Sequence, residues 1–250
     1  MSNFNPLTLA LLLGILSILP MVAIATTSFL KISIVMSLVR NALGVQQVPP
    51  NIALYGMALI LTVYVMAPVG QHIYNGFAND HKTMQMNHAD IDEPINNHSQ
   101  TLKKNFIDIK KTNIDHQDYF QIDDFIETVK KYVEPLRRFM LRNSRVEQRT
   151  FFVSTAKKMW GQEISQNVDE KDLIILIPSF VMSELKAAFQ VGFLLYLPFV
   201  LIDLIVSNIL LAMGMMMVSP VTISLPLKLF LFVMIDGWTR LIQGLVLSYI

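Results

Sequence analysis

Residues 211–220 read Leu211-Ala-Met-Gly-Met-Met-Met-Val-Ser-Pro220, with methionine at four of the five positions from Met213 to Met217. This run closes one long apolar stretch, 187–217, and precedes another, 221–250. Gly214 weakens a helix interior by about 1 kcal/mol, and Ser219-Pro220 ends or kinks one. Two apolar helices separated by such breakers predict a helical hairpin. Met is unbranched, polarizable and rich in rotamers, so a cluster of it forms an apolar surface that reshapes around different partners. Successive helical residues point about 100° apart, so Met215, Met216 and Met217 cannot line one helical face. A shared role for all three needs a broken backbone or a ring of copies. Otherwise the run is apolar filler, which membrane segments tolerate.

Composition gives the broad class. The 250 residues are 53% hydrophobic and 16% charged, with a mean hydropathy of +0.46, which is too apolar for an ordinary soluble domain of this length. An integral membrane protein is expected. Up to Val69 the only charged side chains are Lys31 and Arg40, and from Leu173 onward only Glu184, Lys186, Asp203, Lys228, Asp236 and Arg240. The chain therefore divides into N-terminal apolar helices (1–70), a polar and largely helical insert (71–172, loose over 79–116), and C-terminal hairpins carrying the Met run (173–250). Apolar segments at 7–30, 52–69, 187–217 and 221–250 each approach or exceed the roughly 20 residues that cross a bilayer core. Four spans follow, the first continuing amphipathically past Lys31 to Val39. The fold class is all-α: membrane-type hairpins broken at Pro and Gly, assembling into a multi-subunit ring or helical pore.

The first segment lacks the basic start of a signal peptide and is longer than its apolar region, so it reads as retained. Lys31 and Arg40 near the first connection, and Lys228 at the start of the last span, place those connections in the cytoplasm. The insert and both termini then face the opposite side. Within the insert, Phe125, Ile126, Val129, Val133, Leu136 and Met140 recur at helical steps, predicting an amphipathic helix with Pro135 as a candidate point of restart. A second short helix is expected over 151–160.

Several functions are disfavoured. A net charge of +1 offers no basic stripe for nucleic acid. There is no cysteine, and the five histidines, all in or beside the insert, match no zinc spacing. No phosphate loop, nucleophile elbow or His-Glu-x-x-His motif occurs, so neither catalysis nor a cofactor is expected. What remains are charges in apolar surroundings, which face protein interior or water-filled paths. Asp236 and Arg240 stand four apart and suit an ion pair on one helix face. Asp203 has no local partner; Lys31, Lys186 or a neighbouring subunit are the candidates. Such charges fix helix register within an assembly or relay protons. Small residues four apart (Ser33 and Ser37, Ser183 and Ala187, Ala188 and Gly192) favour close helix approach. Pro178, Pro198, Pro220 and Pro226 cut the last third into pieces of about 20 residues or fewer.

Longer strings carry a resemblance. Thr27-Ser-Phe-Leu-Lys-Ile32, Leu38-Val-Arg-Asn-Ala-Leu-Gly-Val-Gln-Gln-Val-Pro-Pro-Asn51 and Ile177-Pro-Ser-Phe-Val-Met-Ser-Glu-Leu-Lys-Ala-Ala-Phe189 closely resemble the FliP/SctR family. So do Gly192-Phe-Leu-Leu-Tyr-Leu-Pro-Phe199, Met213-Gly-Met-Met-Met-Val-Ser-Pro220 and Leu231-Phe-Val-Met-Ile-Asp-Gly-Trp238. These are core inner-membrane proteins of the bacterial flagellar and virulence type III export apparatus. The longer, Asn-rich insert points to the virulence branch.

The resemblance implies a homo-oligomer, a pentamer in the family, joined by two smaller subunits of the SctS/FliQ and SctT/FliR families and by larger export-gate subunits. Its cargo would be unfolded secreted protein, and the assembly would be raised from the bilayer toward the periplasm, which the insert faces. The family's methionine seal maps onto Met215, Met216 and Met217, with Met213 beside it and Gly214, Pro220 and Pro226 as hairpin breakers. Lys31, Glu184, Lys186, Asp203, Asp236 and Arg240 are assigned to subunit contacts. The alternative is a polytopic ion or solute transporter with Asp203 as its intramembrane coupling site.

Overall fold

The computed structural model describes residues 6–45, 48–89, 122–161, 168–215 and 217–250. Among these residues the structure is all-helical, with no strand. In chain order the helices are α1 (Pro6–Thr26), α2 (Phe29–Ala42), α3 (Asn51–Ala89), α4 (Ile122–Asn143), α5 (Val146–Met159), α6 (Leu173–Ala212), α7 (Pro220–Met234) and α8 (Gly237–Leu247).

The first apolar segment bends by 66° between α1 and α2. Thr26 and Thr27 return their hydroxyls to the carbonyls of Val22 and Ala23, at 2.8 and 2.7 Å, a back-bonding that bends helices. The last segment bends by 60° between α7 and α8. Two helices, α3 and α6, are long and apolar enough to cross a membrane, and each bent pair supplies a further span if it counts as one, giving up to four. Four apolar segments were expected, and these elements occupy them.

Helix α3 continues through residues 79–89, which composition alone reads as loose. Extending an existing helix fixes one residue per added hydrogen bond, so it is far easier than nucleating one. Helix α4 runs through Pro135 without a restart, and α5 covers the second insert helix. The Pro-based division of the last third is corrected. Pro178 and Pro198 lie inside the 40-residue α6, and Pro226 lies inside α7. A proline inside a long apolar helix removes one backbone bond and need not end the helix.

The internal contacts define two units, Met1–Ala67 with Arg137–Ile250, and Pro68–Leu136. In the first, α2 lies at the centre and packs most extensively on α6. Its Ile32, Val35 and Met36 are fully buried and pack with Leu54 of α3, Ala188 of α6 and Phe232 of α7. The small-residue pattern acts at this crossing. A Cβ on Gly192 would stand 2.3 Å from Cδ1 of Leu38, so α2 and α6 approach at a distance only glycine allows. The outer faces stay apolar, with Met21, Phe193 and Leu194 exposed. In the second unit, Phe77 stacks on Tyr132 with ring centroids 3.6 Å apart.

Candidate functional site

The methionine loop is built by the way α6 ends. Gly214 has φ +74°, the Met215 N–H donates to the Leu210 carbonyl, and the Gly214 N–H donates to the Leu211 carbonyl, both at 3.0 Å. This paired closure uses a left-handed residue just past the last turn to satisfy carbonyls the helix leaves open. A side chain at 214 would be strained there, so glycine is dictated by the backbone. Pro220 then opens α7 as its first residue, where a missing N–H removes no helical bond. Between them, Met213 and Met217 are 66% and 101% exposed, and Met215 is 41% exposed. Met216 lies outside the described residues.

A charge pair ties the two arms of this hairpin. Lys228 Nζ donates to Asp203 Oδ2 at 2.6 Å, and the Ser224 hydroxyl donates to Oδ1 at 2.6 Å. Ser224 and Lys228 are four apart on α7, so they share the face that meets α6. Both are buried. Asp203 precedes Met213 by ten positions, which at 1.5 Å per residue sets the pair about 15 Å from the loop. The candidate partners for Asp203 are Lys31, Lys186 or a neighbouring subunit. The hairpin supplies Lys228 instead.

Lys31 is taken by Glu184. Its ammonium lies 3.6 Å from Glu184 Oε1 and 3.7 Å above the centre of the Tyr249 ring, while the Tyr249 hydroxyl donates to Glu184 Oε2. All three are buried. Each carboxylate oxygen thus faces a different partner, and the buried charges cancel. Tyr249 was not singled out in sequence; its signal is the tendency of a buried Tyr to find a polar partner for its hydroxyl.

The other charged positions behave differently. Lys186 is exposed on α6. Asp236 and Arg240 form no side-chain pair; only the Arg240 amide bonds the Asp236 carbonyl, at 3.1 Å. The i, i+4 expectation fails because Asp236 is not helical. At φ 54° and ψ 47° it occupies the left-handed position between α7 and α8, which Asp tolerates better than most residues. Its carboxylate accepts from Thr239 Oγ1 at 3.0 Å. Gly237 follows because a Cβ there would lie 2.3 Å from the Phe232 ring. Arg40, at the end of α2, donates to the Asn51 side chain that opens α3.

Kinked apolar helices, charge pairs buried between them and an exposed methionine loop define an integral membrane protein of the helical-hairpin class. The FliP family profile matches residues 12–125 and 108–245, and the chain belongs to the FliP family. It is 43% identical to "Yop proteins translocation protein R" of Yersinia pestis, over 98% of this chain and 97% of that protein. It is 44% identical to "Harpin secretion protein HrcR" of Erwinia amylovora, over 99% and 98% of the two chains. It is 39% identical to "Virulence protein YscR" of Salmonella typhimurium, over 98% and 97%. These names place the chain in the virulence branch rather than the flagellar one.

Proposed function

We propose that this protein is a pore-forming subunit of the type III secretion export gate in the bacterial inner membrane, and that its methionine loop seals the closed channel. Copies of the chain surround an axis, with the two smaller and the larger export-gate subunits around them and the insert toward the periplasm. Unfolded secreted proteins are the cargo. The observation that carries this reading is the exposed loop of Met213, Met215 and Met217 at the tip of a hairpin whose turn is fixed by Gly214 and Pro220. A ring of such loops makes an apolar constriction that is unfavourable to wet and so excludes ions. Flexible thioether side chains yield to a passing chain and close around varied shapes without selecting among them.

Of the charges assigned to subunit contacts, Lys186, Asp236 and Arg240 are exposed and have no ionic partner among the described residues. Lys31, Glu184 and Asp203 hold helix register within each copy. Asp203 is engaged by Lys228 and Ser224, which weakens its case as the free coupling carboxylate a transporter needs. The chain contains no cysteine, so single substitutions report cleanly. Met217→Cys is expected to give disulfide-linked copies in the purified complex, whereas purely monomeric Met217→Cys under oxidation counts against a ring closed at this loop.

A further inference from the structure

A groove of about 370 Å³ runs between α6 and α8, apart from the methionine loop. Ala187, Val191, Leu195 and Phe199 line it from α6 at four-residue steps, so it follows about 18 Å of that helix at 1.5 Å per residue. An extended peptide would bring N–H and C=O groups against walls that offer them almost no partners. A single hydrocarbon chain suits the apolar lining.

The polar groups on the walls are few. Lys31 is taken by Glu184 and Tyr249, and the Ser248 hydroxyl donates to the Leu245 carbonyl. Arg240 remains. It lines the groove beside the α7–α8 bend, is exposed, and its guanidinium has no ion pair or hydrogen bond among the described residues. A permanently charged planar fork suits the two oxygens of a phosphodiester.

We propose that this groove holds one acyl chain of an anionic phospholipid from the surrounding bilayer, with the lipid phosphate on Arg240. The assignment rests on the membrane class of the chain and is independent of the methionine seal. Trp238 reports on the site. It packs edge-on against Phe232, a lining residue, with centroids 5.3 Å apart, and Trp160→Phe leaves it as the sole tryptophan.

The test uses the full chain with Trp160→Phe in phosphatidylcholine nanodiscs, with lipids brominated on their acyl chains as quenchers. Brominated phosphatidylglycerol is expected to quench Trp238 at a several-fold lower mole fraction than brominated phosphatidylcholine. Arg240→Gln is expected to abolish that preference. Gly244 lines the groove and a Cβ there meets nothing within 4 Å, so Gly244→Leu fills the groove from an unstrained position and should reduce quenching by both lipids. Equal quenching by the two lipids, unaltered in both variants, overturns the proposal. Stronger quenching by a brominated fatty acid than by phosphatidylglycerol overturns the phospholipid assignment. Disulfide-linked dimers of Gly244→Cys chains would give the groove to a second copy instead.

Discussion

Lys228 reaches Asp203 across the methionine hairpin at 2.6 Å, so the two arms that carry the loop are locked in register by a mostly buried charge pair. Removing one partner of such a pair leaves the other charge unpaired in a poor solvent, at roughly 3–5 kcal/mol. Asp203→Ala should fall at the low end, because the Asp203 side chain is 38% exposed while that of Lys228 is 6% exposed. Asp203→Ala combined with Lys228→Met should recover most of the loss. Denaturant unfolding followed by circular dichroism measures both. Equal destabilisation by the single and double variants would show that the pair does not hold the hairpin.

The Glu184 cluster predicts a ranking. Tyr249→Phe keeps the ring beneath the Lys31 ammonium and removes the hydroxyl that donates to the charged Glu184 and lies 3.5 Å from the Ser28 carbonyl, a loss expected at about 1.5–3 kcal/mol. Glu184→Ala strands Lys31, whose side chain is 6% exposed, and should cost roughly 3–5 kcal/mol. The same unfolding experiment reads both. Tyr249→Phe being the more damaging of the two would contradict the arrangement.

Two glycines should respond in opposite ways to alanine. Gly192→Ala places a Cβ 2.3 Å from Cδ1 and 3.2 Å from Cβ of Leu38, overpacking expected to cost about 1–3 kcal/mol. Leu38→Ala added to Gly192→Ala should recover part of it. At Gly56 in α3 a Cβ meets nothing within 4 Å, and alanine there should stabilise by about 0.5–1 kcal/mol through helix propensity. Thermal unfolding of the three variants gives the signs directly.

The apolar spans were legible because burial in lipid demands run length and composition, which a sequence carries openly. The amphipathic helix through Phe125 and Met140 was legible through its period. Helix breaks were less so. Pro178, Pro198 and Pro226 suggested interruptions, yet each sits within a helix, since the loss of one backbone bond need not end a long apolar helix. The turn between α7 and α8 lies at Asp236-Gly237, an Asp-Gly dipeptide of the kind that marks turns. Side-chain partners were least legible. Lys31 and Glu184 lie on helices far apart in the chain, and Lys228 meets Asp203 only once the hairpin closes, so no local spacing encodes either pair. The small-residue pairs gave a partial signal, expressed most clearly where Gly192 admits Leu38.

The methionine seal is tested most directly by ion conductance. The assembled export complex would be reconstituted in planar bilayers with wild-type chain, and with Met215→Ala, Met216→Ala and Met217→Ala combined. The wild-type complex should hold closed, and the triple variant should leak small ions steadily, because alanine leaves the constriction wide enough to wet. A triple variant that assembles fully and conducts no more than wild type would contradict the seal.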